Sequence, residues 1–250
     1  MPIPPDLEQQ IRRSSAIGVQ LYLLDKVSAI GTDVMLANIP NPQARGLRGY
    51  LPMRAGDDQG NPSDSFLVLF FTNETPPRIA CETRITPNRK PEFKEFDPPR
   101  VPDELVAALF SARQIAMAAW PNTGQPLNPV LLPGAALGED GILVYLLVGT
   151  NKPNVAVFGQ HFRALVPMNG TKVSYMMPMS KSILELPTRA PDGEAIEALT
   201  VTHIVTDYPL ETHVFISLQM KMPIYVVTNR GLWYVNGDEI SFLGNNPPGE

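Results

Sequence analysis

The residues of this chain best suited to proton transfer near neutral pH are its three histidines, because an imidazole changes charge in that range. His161 lies in residues 155–166, whose alternation predicts a strand with His161 and Arg163 on the same face. His203 and His213 each follow a threonine and are ten residues apart. We therefore expect His161 and Arg163 to contribute to one polar surface.

Carboxylates that could complete a site with these side chains are Asp25, Asp33 and Glu211, of which the first two project to roughly the same side of a predicted helix. Arg163 with two carboxylates would suit a small polar ligand, and a histidine with a carboxylate would suit acid–base chemistry. The candidate polar site comprises Asp25, Asp33, His161, Arg163, Glu211 and His213. Because charged groups are rarely buried unless paired, we place structural pairing first, ligand binding second and catalysis third.

Sequence motifs that would identify a specific chemistry are absent from this chain. It has no glycine-rich nucleotide loop, no Gly-x-Ser-x-Gly elbow and no His-Glu-x-x-His pair. Two metal ligands on one short helix would be three or four residues apart, whereas His203 and His213 are ten apart. The single cysteine, Cys81, lies in a predicted strand and is expected to act as a small buried hydrophobe. We predict neither a metal site nor a cofactor.

Composition limits the class of protein and its partners. With 44% hydrophobic and 18% charged residues, the 250-residue chain can form a proper core. The net charge of −5 and the lack of a basic stripe argue against nucleic acid as a partner. No stretch approaches the roughly 20 apolar residues of a membrane span, so we predict a soluble protein.

The N-terminal residues 1–6 have neither the basic start nor the apolar stretch of a signal peptide. We therefore expect a cytoplasmic protein, or a periplasmic or secreted one if a native leader precedes this sequence.

Two main helices are predicted in the first half of the chain. Residues 6–38 repeat apolar side chains every three or four positions, and Gly18 and Gly31 inside them indicate either close packing or a break near the ends. The second helix begins at Pro102-Asp103-Glu104, where acidic residues suit the positive end of a helix, and it ends at Trp120-Pro121. Between them, residues 66–71 and 78–85 predict a hairpin, a strand is expected at 49–53, and proline-rich residues 86–101 predict a surface connector.

The second half is predicted to be rich in strands. Residues 143–148, 155–166 and 172–179 predict an antiparallel meander with a turn at Asn169-Gly170. Residues 209–222 fit either a strand or a helix, and the flanking Pro209 and Pro223 favour the helix. Residues 224–243 predict a three-stranded hairpin series.

These elements predict an α+β fold in which antiparallel sheet packs with two main helices, as one or two lobes. The expected division is an N-terminal part, 1–125, and a β-rich part, 126–250, which could also form one continuous domain. Met176-Met177-Pro178-Met179 is typical of an edge strand, because proline is tolerated at a sheet edge. Such an edge would let two chains meet, so a homodimer is one candidate assembly.

Several short segments resemble a group of uncharacterised bacterial proteins of unknown function. They are residues 22–25 with Thr32 and Asp33, residues 159–163, residues 180–182 and residues 209–215. The resemblance implies no activity, but it includes the polar positions selected above. Members of the group often carry a leader sequence, so the resemblance supports keeping the periplasmic or secreted alternative beside the cytoplasmic expectation.

The function expected from the sequence is a non-enzymatic binding or protein-interaction role, because no motif points to catalysis. The alternative is a hydrolase-like or ligand-processing enzyme with His161 or His213 as the base and Arg163 binding an anionic group.

Overall fold

The computed structural model describes residues 1–56, 62–122, 124–150 and 152–245. The chain divides into two compact units, a terminal unit of Met1–Tyr22 with Ala116–Glu250 and a middle unit of Leu23–Ile115. The division falls inside two helices, α1 (Glu8–Asn38) and α2 (Glu104–Ala119). The predicted boundary near residue 125 lies after α2, whereas the observed division lies within α1 and α2.

The first helix forms as its periodicity predicts. A short 3₁₀ turn, Pro5–Leu7, leads into α1 without a break at either glycine. A Cβ added at Gly18 would lie 2.5 Å from Cβ of Val214, and one added at Gly31 would lie 2.5 Å from a methyl of Val68. Close packing is therefore the reason for both glycines. The second helix is also confirmed, and the Asp103 carboxylate accepts the Val106 N–H at 2.8 Å as its N-cap.

The middle unit contains one antiparallel sheet in the order β1-β2-β3-β4. Its strands are β1 (Leu47–Gly56), β2 (Pro62–Thr72), β3 (Ile79–Ile85) and β4 (Glu92–Arg100). The predicted hairpin and the strand near 49–53 are confirmed, but the predicted connector at 86–101 is wrong because it contains β4. This strand is mostly exposed and lies at the sheet edge, where Pro98 and Pro99 interrupt no interior ladder.

A buried cluster of Met35, Ile39, Val68, Phe70 and Cys81 joins α1 to this sheet. Burial, with the nearby Glu95 carboxylate, raises the pKa of the Cys81 thiol to about 12. The thiol therefore stays protonated at neutral pH and packs as a small apolar group, as the sequence predicts.

The terminal unit contains a second antiparallel sheet in the order β5-β6-β8-β9, and a separate pair formed by β7 and β10. The strands are β5 (Leu127–Pro133), β6 (Ile142–Val148), β7 (Val155–Phe158), β8 (Phe162–Val166), β9 (Tyr175–Pro178) and β10 (Leu184–Pro187). The unbroken strand predicted at 155–166 is wrong. Gly159 and Gln160 have positive φ angles of 102° and 54°, and this bend sends β7 and β8 into different sheets.

The C-terminal part forms a third four-stranded sheet in the order β11-β12-β13-β14, from β11 (Leu199–Thr202), β12 (Ile224–Val227), β13 (Leu232–Asn236) and β14 (Glu239–Gly244). The predicted hairpin series is confirmed, but β11 also pairs with β12 in parallel, through the crossover helix α3 (Glu211–Met220). Residues 211–217 are all buried, and α3 packs against β7 and β13. A helix buried on every side carries no polar stripe, which is why its sequence also fitted a strand.

These elements form an α+β fold dominated by antiparallel sheet, as predicted. The methionine-rich β9 does lie at a sheet edge, and the homodimer stays a prediction. Among the described residues, no helix has both the length and the apolar character needed to span a membrane.

Candidate functional site

Arg163 and Glu211, both selected from the sequence, form a buried ion pair in the terminal unit. Arg163 on β8 lies opposite Tyr145 on β6, and Glu211 is the first residue of α3. Arg163 Nη1 and the Tyr145 hydroxyl each donate to Glu211 Oε1, both at 2.7 Å. The Glu211 side chain is only 3% exposed, so its charge depends on these two donors.

The charge states of this cluster follow from burial and pairing. Burial is the largest single influence and would lower the pKa of Arg163, but Glu211, Tyr145 and Tyr175 together outweigh it and the pKa is raised. Burial and the same carboxylate raise the pKa of Tyr145 well above its usual range, so this hydroxyl remains a donor. The arrangement matches the structural pairing that the sequence favoured over a free anion-binding Arg163.

His161 lies at the bend between β7 and β8 rather than inside a strand. Its Nδ1 accepts the Val148 N–H at 2.9 Å, and its Nε2 lies 3.3 Å from the Val157 carbonyl. Because the amide can only donate, the ring is neutral with its proton on Nε2. Burial lowers the pKa of His161 to about 4. The bend requires glycine, since a Cβ at Gly159 would lie 1.9 Å from the Ser182 carbonyl oxygen.

His213 closes the N-terminus of α3. Its Nδ1 accepts the Leu210 N–H at 3.0 Å, while its own backbone N–H donates to the Leu210 carbonyl at 2.9 Å. The imidazole thus takes the position of the glutamate in a capping box, which requires a neutral ring with its proton on Nε2. Burial and the neighbouring His203 lower the pKa of His213 to about 3.

His203, which follows β11, completes a pair with His213. The two rings are 4.8 Å apart at an interplanar angle of 85°. The Thr206 hydroxyl donates to the Tyr208 carbonyl at 2.6 Å, so it accepts from His203 Nε2 at 2.9 Å. Burial lowers the pKa of His203 to about 4. His203 is therefore neutral, with Nδ1 as an acceptor.

All three imidazoles line one cavity of about 240 Å³, here called the imidazole cavity. Its other polar lining residues include Ser180, Lys181, Ser182, Thr202 and Thr212. Within the described parts of the chain, His213 Nε2–H and His203 Nδ1 have no hydrogen-bond partner. Because both rings line the cavity, this donor and this acceptor are the imidazole atoms left for a ligand there.

The sequence-predicted site divides between the two units. His161 and His213 line the imidazole cavity, and Arg163 and Glu211 form the ion pair, all within the terminal unit. Asp25 and Asp33 belong to the middle unit. There Asp25 acts with burial to raise the pKa of Tyr50 to about 12, against the opposing effect of Arg113, and Asp33 is exposed.

Two contributors were not among the predicted site residues. Tyr145 lies in β6, whose other residues are all apolar, so the sequence gives no reason to treat this tyrosine as anything but a core residue. Its role becomes visible only from its strand partner, Arg163. His203 was noticed for its Thr-His dipeptide, but its spacing from His213 is meaningful only when β11 and α3 are adjacent in space.

The described residues include no group of three or more His, Cys, Asp or Glu side chains placed to hold a metal ion. No protein-family model matches the chain, and neither curated proteins nor solved structures provide a significant match. Function must therefore be argued from the geometry of the site.

Proposed function

We propose that this protein is a non-enzymatic binding protein whose terminal unit takes a small, uncharged polar ligand into the imidazole cavity. The observation that carries the proposal is the convergence of three buried, neutral imidazoles on one cavity of about 240 Å³. Pockets for small molecules combine apolar lining with placed polar groups, and this cavity does so at a volume below the usual range of about 300–1,000 Å³, which restricts it to a ligand of few heavy atoms.

The chemistry of the wall favours a ligand that has both an acceptor and a donor, such as an amide or a heterocycle. His213 Nε2–H would bond the acceptor and His203 Nδ1 would bond the donor. The burial that keeps these rings neutral would also penalise a charged group placed against them. Lys181 is exposed and lies at the cavity, so its charge is solvated rather than buried.

Binding is favoured over the alternative of a ligand-processing enzyme. A general base works best with a pKa near the operating pH, whereas these pKa values are about 4 and about 3. The hydrogen bonds described for the three rings go to backbone groups and to Thr206, not to a carboxylate. Glu211 accepts from Arg163 and Tyr145 instead.

The test uses amide and carboxylate pairs of one shape, such as nicotinamide and nicotinate, in ligand-observed NMR with the full chain. We expect the amides to bind better, and we expect Thr202→Trp to abolish binding by filling the cavity mouth. Thr200→Trp is the matched control, because Thr200 is equally exposed on β11 but does not line the cavity.

Several results would count against the proposal. Equal binding to the Thr202→Trp and Thr200→Trp variants would place the ligand elsewhere. A preference for carboxylates that disappears in Lys181→Gln would replace the uncharged ligand by an anion. Turnover of a bound amide, seen as new NMR signals, would favour the enzyme.

A further inference from the structure

The middle unit contains a second and larger concave site, which the sequence did not indicate. Its volume is about 590 Å³, within the range of about 300–1,000 Å³ that is usual for small-molecule sites. Phe71 of β2 and Phe110 of α2 lie in its lining and stack on each other, with ring centroids 3.8 Å apart and planes 20° apart. We call this site the phenylalanine groove.

The walls of the groove are largely apolar. The cis-linked Pro76 with Pro77 lines one part, and Val101 with Pro102, just before α2, lines another. Val101 is 65% exposed, so it leaves apolar surface facing solvent in the lining. Such a wall suits a flat apolar body, because binding removes apolar surface from water.

The charged residues of the lining are Arg48, Arg78 and Glu74, so the groove carries a surplus of one positive charge. The Arg78 guanidinium reaches the Pro99 carbonyl at 3.5 Å. Arg48 is exposed and forms no ion pair among the residues that the structure describes. Its planar guanidinium is well suited to a carboxylate or sulfonate, which it can bind through two parallel hydrogen bonds.

We propose that the phenylalanine groove binds a small anion with a flat apolar body, a carboxylate or sulfonate, with the apolar body against the exposed Pro76 and Val101 and the anionic group at Arg48. Phe71 and Phe110 are themselves buried, at 0% and 4% exposure, so the stacked pair forms the floor beneath the exposed apolar lining. Covering that exposed apolar surface favours binding, and the charge pair fixes the orientation. The site lies wholly in the middle unit and rests on different residues from the imidazole cavity. Either site can therefore fail without affecting the other.

The probe is 8-anilino-1-naphthalenesulfonate, whose fluorescence rises in apolar sites, and N-phenyl-1-naphthylamine is the same ring system without the sulfonate. We expect one anionic probe per chain, bound more tightly than the neutral probe. Arg48→Gln should weaken the anion about tenfold, as the loss of a charge-assisted bond implies. Arg89→Gln changes net charge equally at an exposed position outside the groove, so it should leave binding unchanged.

Ala107→Trp tests the position of the ligand, because Ala107 is an exposed lining residue of α2. It should block the probe, whereas Ala118→Trp, exposed on the same helix but outside the lining, should not. Unfolding curves for every variant exclude loss of the fold as the cause. On the unaltered protein, 1-naphthoate should displace the probe at lower concentration than 1-naphthamide.

The proposal is overturned if the neutral and anionic ligands compete equally, or if Arg48→Gln and Arg89→Gln have the same effect. It is also overturned if Ala107→Trp leaves the affinity unchanged. Binding of several probes per chain would show general surface adsorption in place of one site.

Discussion

The two units of this chain place their polar groups in opposite ways around a concave site. In the imidazole cavity of the terminal unit, the three imidazoles are buried and uncharged at neutral pH. All three histidine pKa values lie well below the usual 6.5. In the phenylalanine groove of the middle unit, the buried groups are aromatic, and the charged groups are exposed on the rim. Solvation permits charge at the rim, whereas burial permits it only in a pair such as Arg163–Glu211.

This difference implies that acidification, or the substitution of a single charged residue, should destabilise the terminal unit far more than the middle unit. Histidine occurs only at 161, 203 and 213, so residues 23–115 contain none.

Acidification should destabilise the terminal unit most strongly, because three groups act in the same direction. Between the folded pKa and the unfolded value of about 6.5, the unfolded chain binds more protons, so stability rises with pH there. The stabilisation is complete above pH 6.5 and is lost as the pH falls toward 4 for His161 and His203 and toward 3 for His213. One imidazole contributes on the order of 3 kcal/mol.

Hydrogen exchange at pH 7 and pH 4.5 would locate this effect, with β11 and α3 losing protection before β2 and β3. Direct NMR titration of the imidazoles is the control. Midpoints near 6.5 in the folded protein would mean that the rings are solvated, and the contrast between the units would be lost.

Glu211→Gln should be the most damaging single charge removal, because it leaves Arg163 buried without its counter-charge. We expect a loss of about 3–5 kcal/mol in the free energy of unfolding, measured with urea. Glu185→Gln is the matched control, since its pair with Lys152 is partly exposed and should cost less than about 1 kcal/mol. The double variant Glu211→Gln with Arg163→Met should recover much of the loss, and failure to recover it would assign the damage to packing.

Gly31→Ala and Gly18→Ala should each destabilise the chain, by about 1–3 kcal/mol, because the added methyl would overlap Val68 or Val214. This substitution normally favours a helix by about 1 kcal/mol, so the sign of the change is informative. Thermal unfolding measures it. A rise in stability at either position would mean that the neighbouring element can move away, and similar losses at both would show that α1 is equally constrained in both units.

The local sequence pattern was sufficient to predict those elements that have one face toward the core and one toward solvent. The apolar stripe of α1, the Asp103 cap of α2 and the hairpin of β2 and β3 could be predicted, because neighbours in sequence carry that information. The edge strand β4 was missed since its prolines and charges resemble a loop, and the bend at Gly159 was missed since its cause lies at Ser182.

For the candidate site, residue type was enough to select four residues, because few polar side chains of this kind lie within the predicted strands and helices. They are His161, Arg163, Glu211 and His213. It could not separate them from Asp25 and Asp33, nor include Tyr145 and His203. Whether a residue belongs to the site depends on strand register, which sets Tyr145 opposite Arg163. It also depends on the parallel pairing of β11 with β12, which α3 connects.

The sequence by itself determined the apolar composition, the net charge of −5, the positions of α1 and α2, and the small number of residues able to carry chemistry. Only the tertiary structure decided that the carboxylate of Glu211 faces Arg163 and Tyr145, that three imidazoles share one cavity, and that Phe71 stacks on Phe110. The physical reason is that ionisation and hydrogen bonding depend on burial and on distances of about 3 Å, which long-range packing sets.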